Sequence, residues 1–139
     1  MKLWLDLETY SGDDLKEVGT YVYAENAEIL LFAYAVDEGP VAVWDCTAED
    51  APSELLSALH DATEVWAANA QFDKAILAGP AGAHLPRIEL TRWRCSMAQA
   101  LSHALPASLG DLCTVLKVPE DQAKNKEGKK LIQLFTRPQ

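Results

Sequence analysis

The stretch Lys2-Leu3-Trp4-Leu5-Asp6-Leu7-Glu8-Thr9-Tyr10 decides how the rest of the chain is read. Leu3, Leu5 and Leu7 alternate with Trp4, Asp6 and Glu8, the period of two that marks a strand with one apolar face. Successive strand side chains point to opposite faces, so Asp6 and Glu8 share a face about 6–7 Å apart. Two carboxylates at the end of an apolar strand are costly to desolvate. A divalent cation held between them would offset that cost, whereas acids that simply face water would avoid it.

The size and composition narrow the choices. A chain of 139 residues is expected to form a single domain over 1–139, burying about two thirds of its unfolded surface. No stretch approaches the ~18 uninterrupted apolar residues of a membrane span, and residues 1–20 lack the flanks of a signal peptide. Cys46, Cys95 and Cys113 are scattered and odd in number, which predicts reduced thiols in a cytoplasmic protein and no Cys/His zinc site. The net charge of −9 argues against broad, nonspecific nucleic-acid binding. It is unevenly spread: residues 1–116 hold 6 Lys/Arg against 18 Asp/Glu, and residues 117–139 hold 6 against 3. An acidic body with a basic tail can attract cations at one place and phosphates at another.

Along the chain, residues 11–19 predict a short capped helix or turn closed by Gly19, with Thr20–Tyr23 extended. The apolar run from Glu28 to Val36 predicts a buried strand, turned by Asp37-Glu38-Gly39-Pro40 into a strand over Val41–Asp45. A helix is expected over 52–60 with Pro52 early in its first turn, a strand over Glu64–Asn69, and a helix from Gln71 that stops at Gly79-Pro80. A short strand at 92–95, helices at 97–105 and from Ser108, and a last helix around Leu131–Phe135 complete the pattern. Hairpin-connected strands followed by strand–helix alternation predict an α/β layer fold with a mixed sheet. Asp73 falls in the first turn of the helix after the 64–69 strand. If that strand lies parallel to the first, Asp73 meets Asp6 and Glu8, and three carboxylates with water suit Mg²⁺ or Mn²⁺.

Leu3-Trp4-Leu5-Asp6-Leu7-Glu8-Thr9 resembles the first motif of the DEDD superfamily of 3′–5′ exonucleases, and Asn69-Ala70-Gln71-Phe72-Asp73 resembles its second. Residues 14–25, Phe32-Ala33-Tyr34-Ala35, Leu105–Leu109 and Lys126–Ile132 are similar to the proofreading domain of phage-type family A DNA polymerases. The resemblance implies a ribonuclease-H-like fold, a five-stranded mixed sheet flanked by helices. It also implies Mg²⁺- or Mn²⁺-dependent hydrolysis at DNA 3′ ends or on single-stranded DNA, with a polymerase domain in the parent protein. In such a site two metal ions about 4 Å apart activate water and stabilise the leaving oxygen. Asp6 would bridge them, Glu8 would complete one shell and orient the water, and Asp73 would act through water. The backbone at Leu7 and Thr9, with Asn69 and Phe72, would hold the terminal nucleotide, although Phe72 also suits core packing and Asn69 a helix cap.

The resemblance has one departure. The family's third motif places a Tyr or His four residues before a fourth acid, and residues 85–139 contain neither pattern; Asp111 and Asp121 come too early in the order to replace it. The chain therefore reads as an exonuclease domain cut short, with its C-terminal helix missing, weak metal binding, and an uncovered apolar surface that a homodimer could bury. Two other readings remain: a non-catalytic module that binds nucleic acid or protein, and a haloacid-dehalogenase-type phosphatase. The second would need Asp in place of Glu8 and an acid four residues after Asp111.

Overall fold

A computed structural model describes residues 1–117 of the chain. The expected helix at Leu131–Phe135, the similarity at Lys126–Ile132 and nearly all of the basic tail lie outside the described residues. Strand β1 (Lys2–Tyr10) carries Leu3, Leu5, Leu7 and Thr9 on its buried side, as its alternation predicts. Next come helix α1 (Leu15–Asn26) and strands β2 (Glu28–Val36) and β3 (Ala42–Asp45). Helix α2 (Ser53–Asp61), strand β4 (Glu64–Ala67) and helix α3 (Ala70–Ala78) follow. Two 3₁₀ turns then lead into strand β5 (Trp93–Cys95) and helices α4 (Ser96–Ser102) and α5 (Leu109–Val115).

The five strands form one mixed sheet in the order β3-β2-β1-β4-β5. β1 is antiparallel to β2 and parallel to β4, while β5 continues the parallel half. This is the expected α/β architecture, a mixed five-stranded sheet flanked by helices, consistent with a ribonuclease-H-like fold. Leu3, Leu5, Leu7, Phe32, Val65 and Trp93 line one face of the sheet. Tyr23 and Ala24 of α1, Leu55 and Leu59 of α2, and Ile76 of α3 close over it. Each fully buried Leu or Ile contributes about 1.5–3 kcal/mol. Arg92 ties β5 to this layer by donating from Nε to the Ala62 carbonyl at 2.7 Å and from an Nη to that of Leu59 at 2.6 Å. Those carbonyls belong to the end of α2, where unsatisfied acceptors and the negative dipole end favour a cation.

Several element boundaries depart from the sequence reading. Residues 20–23 are helical, not extended. Gly19 breaks α1 with φ 80° and ψ 170°, a conformation costly for a residue with a Cβ, and the helix resumes beyond it. Gly19 does end a helical segment as expected; Tyr23 then turns inward to the core, and this burial overrides the β-preference of Tyr-Val-Tyr. Pro52 is the N-cap residue of α2 and not part of its first turn. β4 stops at Ala67, and α4 ends at Ser102, three residues short of the expected stop. Gly19→Ala should lower stability by about 1–3 kcal/mol, read as a lower urea midpoint, because alanine must take that glycine-only conformation. An unchanged midpoint would mean that the kink at Gly19 is not part of the folded state.

Candidate active site at the end of β1

The geometry of the site follows from unequal strand pairing. On one side β1 pairs with β2 along nearly its whole length, from Leu3↔Val36 to Tyr10↔Glu28. On the other, the parallel ladder with β4 covers only Lys2↔Glu64, Leu3↔Val65 and Trp4↔Trp66. β1 therefore runs on past the end of β4, and the chain leaving β4 turns directly into α3 beside the second half of β1. This juxtaposition brings the first turn of α3, with Asp73, to the acids of β1.

Asp6 is exposed, and the residue opposite it on β2 is Ala33. The small side chains of Ala33 and Ala35 leave a shallow depression of about 170 Å³ beside Asp6, also bordered by Trp4 and Val41. Glu8 is half-buried, and the register with β2 shifts between Glu8 and Thr9. Such bulges re-aim side chains and are common beside active sites. Leu7 points into the core at 6% exposure. The Thr9 side chain is also buried, and its hydroxyl shares a 2.9 Å hydrogen bond with the Tyr23 hydroxyl.

Asp73 carries the electrostatics of this region. It is only 5% exposed, although a carboxylate in a helix's first turn commonly faces water. Burial, and then the negative charges of Asp6 and Glu8, push its carboxyl up to about 7 from an ordinary value of 3.8. The three acids that the sequence singled out are thus electrostatically coupled. Phe72 is half-buried and packs against the core, its ring 5.8 Å from that of Tyr23. Asn69 occupies the N-cap position of α3 but is exposed, with no side-chain capping bond. Its predicted capping role is therefore absent.

Sequence reasoning missed Tyr23. Its hydroxyl engages Thr9 and its ring engages Phe72, so one side chain of α1 joins the end of β1 to the start of α3. The available signal was a Tyr in a segment otherwise read as a strand. Cys46, Cys95 and Cys113 are free thiols, as expected. Among the described residues no helix is long and apolar enough to cross a membrane.

Among the described residues, no three His, Cys, Asp or Glu side chains converge tightly enough to chelate a metal ion directly. The donor chemistry fits a looser arrangement. Mg²⁺ retains several waters and is usually held by one or two carboxylates. Asp6 and Glu8, with Asp73 behind them, could supply hard oxygen ligands of that kind; burial first, and then the charges of those two acids, raises the Asp73 pKa. A cavity of about 750 Å³ is lined by none of these acids and belongs to a separate part of the surface.

No protein-family model matches the chain. Over 98% of its length it is 38% identical to a DNA polymerase of Bacillus phage SP02, in an alignment of 141 residues. The chain spans about a fifth of the length of that relative, 21%.

The burial of Asp73 predicts a pH effect of defined sign. An acid with a raised folded-state pKa binds its proton more tightly when folded, so this contribution is fully present below about 3.8 and is lost as pH rises through about 7. At pH 8 in EDTA, Asp73→Asn should therefore be more stable than the parent chain by on the order of 1–4 kcal/mol. The gain should vanish near pH 4 and narrow when Mg²⁺ is added. Parallel stability curves for the two proteins from pH 4 to 8 would contradict the charge coupling at this site.

Proposed function

We propose that this chain is a 3′–5′ exonuclease domain of the proofreading kind, which hydrolyses phosphodiester bonds at DNA 3′ ends with Mg²⁺ or Mn²⁺ and works alongside a polymerase. The observation that carries this reading is a buried Asp73 facing Asp6 and Glu8 at the end of β1. Similarity over nearly the whole chain to a phage DNA polymerase supports it and supplies the nucleic-acid context.

In this reading Asp6 and Glu8 would hold the cation and Asp73 would support it. When bound, the cation lowers the pKa of water and neutralises charge that develops on the leaving oxygen. Glu8, half-buried beside the bulge, orients the attacking water. Asp73, pushed up to about 7 and so about half protonated at pH 7, would become a full carboxylate beside a bound cation, so cation binding would release up to about half a proton. The backbone at Leu7 and Thr9, with exposed Asn69 and the accessible edge of Phe72, receives the terminal nucleotide. Tyr23 fixes the spacing between Thr9 and Phe72.

A second reading is a non-catalytic module that keeps this fold and binds nucleic acid without cutting it. One observation favours it: no tight three-ligand cluster exists among the described residues.

The test is release of the terminal nucleotide from a 3′-labelled single-stranded oligonucleotide in Mn²⁺. Release that stops in EDTA and falls at least ~100-fold in Asp6→Ala is expected. Release that survives Asp6→Ala would refute the site assignment. Oligonucleotide binding without any metal-dependent release would favour the second reading, and hydrolysis of a simple aryl phosphate would indicate a phosphatase.

A further inference from the structure

A groove of about 750 Å³ lies between α3 and the segment that follows it. Lys74, Leu77 and Ala78, spaced i, i+3 and i+4, supply one wall from a single face of α3. Leu85, Ile88 and Leu90 form the opposite side. The groove is held open by a tight junction at its base: a Cβ on Gly82 would run into the backbone of Leu77, so only glycine lets the 3₁₀ turn approach α3 this closely.

Its charge is opposite to that of the body around it. Residues 1–116 carry twelve more acids than bases, yet among the described residues no acid lines this groove and two cations, Lys74 and Arg87, do. Lys2, Arg92 and Arg94 are paired with carboxylates, whereas neither Lys74 nor Arg87 has one within 4.0 Å among the described residues. Glu89, the nearest acid in sequence to Arg87, is bound by Arg92 at 3.2 Å and also feels the positive charge of Arg87. Two cations that close no salt bridge among the described residues, along an aliphatic channel, call for an anionic partner with apolar side chains.

We propose that this groove is a docking site for an extended acidic–aliphatic peptide segment of a protein partner. A nucleic-acid strand fits the lining poorly, because the one aromatic ring, Trp93, is 8% exposed and offers no surface for bases to stack on. A small molecule confined to the cavity would leave the mouth uncovered, where Leu90 is 72% exposed and Arg87 is also open. A chain that continues past the groove covers both. This docking is independent of the acids at the end of β1, since consecutive helix residues such as Asp73 and Lys74 point about 100° apart.

The test is selection of a phage-displayed random peptide library against the whole 139-residue chain. Enriched peptides should pair Asp or Glu with Leu, Ile or Phe. Their affinity should fall at least about tenfold in Lys74→Glu/Arg87→Glu, fall several-fold in Leu90→Ser, and stay unchanged in the distant charge control Lys16→Glu. Should the double variant misfold by circular dichroism, Leu90→Ser and Arg87→Ala, both at exposed positions, carry the comparison. Failure to enrich acidic–aliphatic peptides, or binding that the groove variants leave intact, would overturn the proposal. Displacement of the peptide by a thymidine oligonucleotide with amide-shift changes at Leu77 and Ile88 would overturn it too, and would assign the groove to nucleic acid.

Discussion

A carboxylate buried beside two others is the constraint on which this structure turns. Asp73 has left water almost completely, and the charges of Asp6 and Glu8 add to the cost of ionising it. A chain selected only for stability would place an amide or an aliphatic residue there, since a buried charge among like charges is one of the more destabilising features a fold can carry. Strongly perturbed acids of this kind cluster at functional sites, and the proposed occupant, a hard divalent cation, is one that three oxygen donors and water suit.

The surrounding architecture keeps that cost in place. Leu3, Leu5 and Leu7 anchor β1 in the core, so the strand cannot slip by one residue without exchanging its apolar face for its acidic one. The short β1–β4 ladder releases the chain early enough for α3 to start beside Asp6 and Glu8. Tyr23 then ties the two pieces together through Thr9 and Phe72. Sheet, helix and aromatic spacer each restrict a different motion of the site.

Much of this is legible in the order of the amino acids. The alternation in Lys2–Tyr10 sets the inward and outward faces of β1, because burial on a sheet has a period that a sequence displays directly. The apolar run 28–36 matches the bounds of β2, but of this expected buried strand only Phe32 and Tyr34 are buried and Leu31 is exposed. The parallel pairing needed to bring in Asp73 is predictable from the strand–helix order. What stays hidden depends on tertiary contact. Thr20–Tyr23 is helical because Tyr23 finds the core, a preference that no local pattern announces. The bulge at Glu8/Thr9 and the groove beside α3 arise from partners distant in sequence, as does the link from Arg92 to the end of α2.

The most direct measurement of the central claim is the ¹³C titration of the Asp73 side-chain carboxyl by NMR, with and without Mg²⁺. The account predicts a midpoint near 7 in metal-free buffer that moves well into the acidic range when Mg²⁺ is added, and a smaller fall in Asp6→Asn, where burial, the larger cause, remains. A midpoint near 4 that neither Mg²⁺ nor Asp6→Asn moves would contradict it: Asp73 would then be an ordinary first-turn acid, and the end of β1 would not be a cation site.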